Sequence, residues 1–397
     1  MPFYNDLRPR SDFETRDFEQ VIPDMPHHEK LRCIDGLIAL RSLLAKEVSP
    51  RKTENNLLVA SWNIANLGHR GRHGEALYYI AETLAAFDLI AVQEVTANRS
   101  DLDRIMRILG PNWGYIYSDP ARGPGSNDES SAYVYNTDRV QPSGLSGELT
   151  VWTEEMEGAL DGGLDADTRS LTRFAAQRPP YITGFTTRWK SFSLINLHLQ
   201  PGRSQADAEL RGKELALVVA ALKANEDQRW AENTVLLGDM NFYVTVDDAN
   251  IAALHADGFW ESEGLVGKTT NVPAPGKAGH VYDRMFFSVG DYFRIARETL
   301  ADGTTRERGG VVPLYDAVMT LDGWQAYHQE VIDKRGTEAQ REEMRTDLAA
   351  AQEYFRAHWR WRQISDHMPI WVELETDDTA AFLSRNKGDL MSEGPTG

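Results

Sequence analysis

Cysteine is almost absent from this chain: Cys33 stands alone among 397 residues. An intramolecular disulfide is therefore impossible, and a thiolate-rich zinc site is excluded. Positive charge is also in deficit. Lys and Arg number 42 against 60 Asp and Glu, a formal charge of −18. Such a surface repels polyanions overall, which excludes a generic nucleic-acid coating protein, although a local basic groove or a metal ion could still hold a phosphate. Long hydrophobic runs are missing as well. The apolar stretch Leu37-Ile38-Ala39-Leu40 is hemmed in by Asp35 and Arg41, and no segment approaches the roughly 18–20 apolar residues of a membrane span. The N-terminal region mixes Asp6, Asp12, Glu14, Asp17 and Glu19 with arginines, unlike the basic start and apolar run of a signal peptide. A cytoplasmic location is the expectation.

What is present is 41% apolar residues and ten Trp, ample for a large core. Residues 1–26 are polar, proline-punctuated and expected to be irregular. Residues 29–46 read as a helix with Ile34, Leu37, Ile38 and Leu44 on one side. Short β runs and amphipathic helices then alternate. Strands are expected at Leu57–Trp62, Asp88–Val92, Ala132–Tyr135, Tyr181–Thr187, Phe192–Leu197, Thr234–Leu237, His280–Phe287 and Met368–Leu374. Helices are expected around Leu77–Leu84 and Leu102–Leu109, and between Ala206 and Ala224, where Leu210, Leu217, Val218 and Ala221 would be buried. Hairpin-length gaps separate strands as often as helices do, which points to mixed rather than purely parallel sheets. Residues 143–177, rich in Gly, Asp and Glu, read as a surface excursion. Residues 321–362 read as a charged helical stretch with a narrow stripe of Leu348, Ala351 and Phe355. The polar tail after Glu375 is expected to be disordered.

The residues able to do chemistry cluster at strand ends, where a sheet delivers side chains to one rim. Asn63 follows the first strand and Glu94 the second. His198 ends Leu194-Ile195-Asn196-Leu197, Asp239 and Asn241 follow Val235-Leu236-Leu237-Gly238, and Asp366 and His367 precede the last strand. Carboxylates, amides and two separated imidazoles without a thiolate suit Mg²⁺ or Mn²⁺ better than zinc. An Asp–His pair can orient and activate water while a metal neutralises charge on a phosphoryl oxygen. Taken singly, each position has a blander role: Asp and Asn after strands are commonly turn formers, and Asp366 could cap a helix-to-strand turn.

Joint order changes that balance. Ser61-Trp62-Asn63-Ile64, Gln93-Glu94-Val95, Asn196-Leu197-His198, Gly238-Asp239-Met240-Asn241 and Ser365-Asp366-His367-Met368-Pro369 together resemble the endonuclease/exonuclease/phosphatase superfamily with its DNase I-like fold, in its two-histidine branch. Glu129 resembles the glutamate paired with the first histidine, Arg178 a phosphate-contacting arginine, and Asp283 in Tyr282-Asp283-Arg284 the aspartate orienting the second histidine. The resemblance implies a four-layer α/β/β/α sandwich of two mixed β-sheets with outer helices. It implies Glu94 as metal ligand, Asn63 beside it as ligand or phosphate contact, and Asp366 assisting metal or water. His367, oriented by Asp283, would activate water with help from Asp239. His198, braced by Glu129, would protonate the leaving oxygen, and Asn241 and Arg178 would steady phosphate oxygens.

The expectation is thus a Mg²⁺-dependent phosphodiesterase (Mn²⁺ as substitute) occupying residues 51–376, read first as a DNA endonuclease. Arg70, Arg72, Arg99, Arg104, Arg107 and Arg122 would favour the polyanion. The alternatives are a phosphatase or phospholipase C-type enzyme, for which Trp152 or Trp189 could offer an exposed aromatic, or an inactive phospho-ligand-binding scaffold. The N-terminal extension, 1–50, and the helical insertion, 321–362, lack family counterparts. Each would serve as a lid, a regulatory-partner or homo-oligomer contact, or simply pack against the sandwich. Residues 377–397 form the tail.

Overall fold

The computed structural model describes residues 2–50, 55–69, 71–121, 128–149, 178–188, 190–225, 232–273 and 277–393. Two six-stranded sheets pack face to face. The first contains β1 (Asn56–Leu67), β2 (Leu89–Thr96), β3 (Trp113–Tyr117), β4 (Glu129–Asn136), β13 (Gly309–Val311) and β14 (Ile370–Glu375), in the order β13-β14-β1-β2-β4-β3. The second contains β5 (Gln141–Glu148), β6 (Tyr181–Thr187), β7 (Lys190–His198), β8 (Thr234–Asp239), β9 (Trp260–Glu261) and β10 (Asp283–Ser288), in the order β5-β6-β7-β8-β10-β9. A separate ribbon pairs β11 (Arg297–Thr299) with β12 (Thr305–Glu307). Both large sheets are mixed. Each has a parallel central pair, β1/β2 or β7/β8, joined by a helical crossover, with antiparallel strands outside it. Because the central pairs run parallel, their C-terminal ends open onto one rim.

The strand sequences explain the layering. Successive side chains of β1 point to opposite faces, and both faces are covered, so Leu57-Leu58-Val59-Ala60 is continuously apolar. Leu57 and Val59 enter the inter-sheet core with Leu89, Ala91, Tyr133, Phe185, Leu194, Leu237 and Met285. Leu58, Ala60, Trp62 and Ile64 face outward into a second core. Helices α2 (His27–Glu47), α3 (Gly74–Leu84) and α4 (Ser100–Leu109) contribute to that core. On the far side, Ile182, Ile195, Leu197, Leu236 and Phe286 pack under α5 (Gln205–Lys223). The result is a four-layer α/β/β/α sandwich.

Several sequence expectations need correction. The N-terminal region is not irregular throughout: α1 (Arg10–Thr15) follows a 3-10 turn, and fully buried Asp6 accepts from Tyr78 Oη (2.8 Å) and Val21 N (2.9 Å). In α2, Ile38 is 62% exposed, and the buried stripe runs through Cys33, Leu37, Leu40 and Leu44. In α5, Leu210 is exposed and the inner face is Ala208, Arg211, Leu215, Val218, Val219 and Leu222. Arg211 hides this stripe from a hydrophobicity count, because a buried pair with Asp247 (2.6 Å) neutralises it. Part of the expected excursion, residues 143–148, belongs to edge strand β5 on β6. The rest, 150–177 with Trp152, lies outside the described residues, as do Trp189, Arg70 and Arg122. The tail is helical over Thr379–Glu393 (α11), anchored where Asp378 meets Lys190 (2.5 Å) and Arg294 (3.2 Å). No helix among the described residues is long and apolar enough to cross a membrane.

The helical stretch is wider in its burial than its sequence stripe. It contains α7 (His328–Asp333), α8 (Glu338–Thr346), α9 (Leu348–Tyr354), a π-helical turn at Phe355–Trp359 and α10 (Arg360–Gln363), after α6 (Asp248–Ala256) earlier in the chain. Trp324, Tyr327, Val331, Phe355 and Trp359 join the same core as Trp62 and Leu77, whereas Leu348 is 56% exposed. Arg32 of α2 binds Glu75 of α3 and Glu330 of α7 (2.9 Å), stitching the N-terminal helix to this stretch. Phe355→Ala should therefore cost about 3–5 kcal/mol, while Leu348→Ala should stay within about 0.5 kcal/mol. Urea unfolding of both variants measures this; equal, small losses would show that the stretch is not part of the core.

Candidate active site

The strand ends meet at the rim through a few unusual backbone positions. The β1/β2 register slips between Asn63 and Leu67, and Glu94 and Asn66 adopt left-handed φ of +59° and +49°. Asn241 does so too, at +50°. Left-handed non-glycine residues cost of order 1–3 kcal/mol each and persist where surrounding bonds over-determine them. Here Asn66 donates to Glu94 Oε2 from both its backbone N (2.8 Å) and Nδ2 (3.0 Å), and Asn241 Nδ2 donates to Leu199 O (3.0 Å). Gly238 has φ +138°, and a Cβ there would sit 2.0 Å from Leu197 O. This explains why glycine precedes Asp239.

Asn63 joins the sheets. Its Nδ2 donates to Glu94 Oε1 and to Asp239 Oδ2, both at 3.0 Å. Asp239 Oδ2 also lies 3.6 Å from Nε2 of His198 and 3.6 Å from Nε2 of His367. Each imidazole is held from behind: His198 Nδ1 lies 3.1 Å from Glu129 Oε2, and His367 Nδ1 lies 2.7 Å from Asp283 Oδ2. Two histidine–carboxylate pairs therefore face one central aspartate.

The environment sets their charge. Burial pushes His367 down, but Asp283, Asp239 and Asp366 outweigh it and hold the imidazole well above its usual range. Burial likewise opposes charging of His198, and the Glu129 hydrogen bond overcomes it, against Arg178, to raise it. Burial would raise Glu94, yet His198, Asn63 and the Asn66 N–H hold it below the ordinary carboxylate range. Asp366 is raised by burial, with Glu94 and Asp239 adding to the effect.

Asn63 Oδ1 is buried without a hydrogen-bond partner, beside an ionised Glu94. An amide oxygen and a carboxylate are hard donors, so Glu94 and Asn63 fit Mg²⁺ or Mn²⁺. The only groups of three His or acidic residues with ligand atoms all within 4.8 Å, among the described residues, are Asp239/Asp283/His367 and Glu29/His73/Glu75. Asp366 is not brought into such a group with Glu94. Arg178 Nε lies 3.3 Å from Glu129 Oε2, the oxygen that also meets His198, so this arginine joins the His198 pair.

The arginines expected to attract a polyanion divide. The Arg72 side chain is fully buried, donating to Ala65 O (2.6 Å) and Gln363 O (3.0 Å) beside Asp101, so it is a staple between loops and not a phosphate contact. Arg107 pairs with Glu19 at 2.8 Å. Arg104 remains 49% exposed, and Arg99 lies 4.3 Å from the Tyr117 ring.

Three positioning groups went unassigned in the sequence. Ser365 Oγ donates to Asn63 O (2.6 Å) and accepts from His367 N (3.0 Å), locking the β1 end to the histidine turn. Trp62 Nε1 donates to His367 O (2.9 Å). Thr270 Oγ1 accepts from the backbone N of Tyr282 and of Asp283, both at 3.1 Å. Ser365 and Trp62 lie inside the motifs quoted above, whereas nothing in the sequence marks Thr270.

The fold is the DNase I-like α/β sandwich. No family model matches the sequence, and no curated protein matches it. Among solved structures, it is similar to a humanized TDP2 of D. rerio carrying 14 mutations, at 13% identity and TM-score 0.49, over 82% of this chain and 100% of that one. It is similar to an endonuclease/exonuclease/phosphatase family protein from Bacteroides thetaiotaomicron, at 18% identity and TM-score 0.45, over 81% and 98%. An endonuclease/exonuclease/phosphatase from Beutenbergia cavernae shows 14% identity and TM-score 0.46, over 81% and 72%.

Ser365→Ala should leave Asn63 O and His367 N without their shared partner, costing about 1–3 kcal/mol. It should also lower turnover by loosening both residues. Unfolding and rate measurements on one preparation check this; unchanged values for both would remove Ser365 from the scaffold of the site.

Proposed function

We propose that this chain is a divalent-metal-dependent phosphodiesterase of the endonuclease/exonuclease/phosphatase superfamily, hydrolysing DNA by in-line attack of water. One observation carries the reading: two histidine–carboxylate pairs face each other across Asp239, whose Oδ2 is 3.6 Å from each Nε2. An in-line displacement needs a proton acceptor on the attacking side and a donor on the leaving side, and this arrangement offers both. Asp283 fixes the His367 ring so that Nε2 and Asp239 together orient the attacking water, with the Asp239 carboxylate taking its proton. Glu129 fixes His198 so that its Nε2–H protonates the leaving oxygen. Asn241 would steady a phosphoryl oxygen, with Arg178 supporting the His198 side. When bound at Glu94 and Asn63, Mg²⁺ or Mn²⁺ supplies neutralisation of charge on the phosphoryl group.

The burial of Arg72 and the pairing of Arg107 favour a second reading, a small phosphoester substrate, because two of the six basic residues are spent on structure. Salt separates the two. Each phosphate neutralised by Lys or Arg adds close to one unit to the salt slope. With Arg72 and Arg107 committed to structure, plasmid cleavage should weaken with a slope of roughly −2, and phosphomonoester hydrolysis should hardly change. His198→Ala and His367→Ala should each lower turnover by about 10²–10⁴ without unfolding. Glu94→Gln should abolish metal-dependent activity, since a neutral amide holds Mg²⁺ poorly. The check is plasmid and phosphomonoester hydrolysis side by side across a salt series with Mg²⁺ and Mn²⁺. Robust monoester turnover without plasmid nicking would overturn the nuclease reading.

A further inference from the structure

Beside His367 the same rim carries an aromatic ladder that the hydrolytic chemistry does not use. The His280 and Tyr282 rings stack at 4.9 Å with an interplanar angle of 18°, and Tyr282 lies 5.9 Å from the His367 ring. Tyr243 meets both edge-on, 5.5 Å from His280 and 5.1 Å from Tyr282. Exposed Arg203 lies 5.4 Å from the Tyr243 ring, beside the hydroxyls of Tyr243 and Tyr282. Each member comes from a loop or strand start next to a residue of the candidate site. Arg203 follows His198, Tyr243 follows Asn241, and His280 and Tyr282 precede Asp283.

The ladder is held rigid. His280 N donates to Asn271 Oδ1 (2.7 Å), and Thr270 N donates to His280 O (2.9 Å). That loop is tied to the histidine turn by Met368 N to Thr270 O (2.6 Å) and Val272 N to Asp366 O (2.7 Å). Tyr243 is fixed by its backbone N on Asp247 Oδ2 (2.9 Å), the carboxylate gripped by buried Arg211. Tyr282 is buried, whereas Tyr243 and His280 are half-buried and keep ring surface open. Desolvation and neighbouring Arg203 both lower His280, which favours the neutral ring. A cleft of about 670 Å³ opens beyond Tyr243, past Val244, Phe259 and Trp260.

We propose that Tyr243 and His280, backed by Tyr282 and flanked by Arg203, form a stacking platform for an unpaired nucleobase of a single-stranded nucleic acid whose neighbouring phosphate lies at His367. The proposal rests on the nuclease reading for its substrate and adds strandedness to it. A paired base hides its face inside a duplex, so only a splayed or single strand can use such a surface. The charge pattern agrees. In a −18 chain that commits Arg72 and Arg107 to structure, affinity that does not depend on phosphate neutralisation is an advantage. Stacking supplies affinity that carries no charge, and a flanking guanidinium adds a cation–π contribution.

The test compares a short oligothymidylate with an abasic oligonucleotide of the same length and charge. Binding is measured by calorimetry with Ca²⁺ in place of Mg²⁺, and hydrolysis with Mg²⁺. The base-bearing strand should bind roughly 5- to 150-fold more tightly, the worth of one stacked base. Tyr243→Ala and His280→Ala should each erode that preference and raise KM for oligothymidylate with little change in kcat. Tyr243→Phe and His280→Trp should preserve it. Thermal unfolding of all four variants reports that they are folded. Equal treatment of the two strands by the wild type, including binding of neither, overturns the platform even if phosphodiester hydrolysis is found. Retained base preference in binding, with no hydrolysis of any nucleic acid, supports the platform and overturns the nuclease reading instead.

Discussion

Everything at the rim depends on one amide. Asn63 Nδ2 donates at 3.0 Å to Glu94 in its own sheet and at 3.0 Å to Asp239 in the facing sheet. Two carboxylates at such proximity repel each other, and a donor shared between them turns the repulsion into a bridge. Behind it a second polar bridge spans the sandwich: Gln93 Nε2 donates to Asn196 Oδ1 (2.7 Å), and Asn196 Nδ2 reaches Val92 O (3.1 Å) and Ala132 O (3.2 Å). Apolar packing alone would let two sheets slide, because hydrophobic contact is non-directional. Directional bonds between buried amides set how the sheets align, and hence whether Glu94, His198 and Asp239 meet.

Charge is managed within this small volume. Glu94, Glu129, Asp239, Asp283 and Asp366 gather at a rim of an already acidic protein. The two imidazoles and Arg178 are counter-charges there, each imidazole held above its ordinary value by the carboxylates around it. A carboxylate-rich centre braced by two histidines is well suited to receive a cation and then a phosphate, and poorly suited to bind an anion by itself. The arginines do not correct this, since Arg72 and Arg107 stabilise loops and the N-terminal segment.

The N-terminal helix and the helices before β14 share one role in the packing. Arg32 joins Glu75 and Glu330, and aromatic residues from 324–359 complete the core over the outer face of the first sheet. Arg72 and Gln363 then connect this layer to the turn carrying Ser365 and His367. The outer layer is thus mechanically continuous with the candidate site.

The sequence by itself determined the alternation of strands and helices, because the short continuous apolar runs of β1, β2, β7 and β8 follow directly from burial on both faces. It also marked residues that the fold brings to one rim, since Asn63, Glu94, His198, Asp239 and His367 sit at strand ends within the quoted motifs. Faces that depend on partners far along the chain were decided only by tertiary structure. Arg211 looks solvent-facing until Asp247 neutralises it, and Ile38 looks buried until α2 docks through Leu37 and Leu40. Phosphate-seeking and structural arginines are identical as letters, and only folding shows that Arg72 is enclosed. Thr270 and the ladder of His280, Tyr282 and Tyr243 acquire meaning only when loops separated by scores of residues converge. Local periodicity is written in the order of residues; the pairing of distant polar groups exists only once the two sheets are closed.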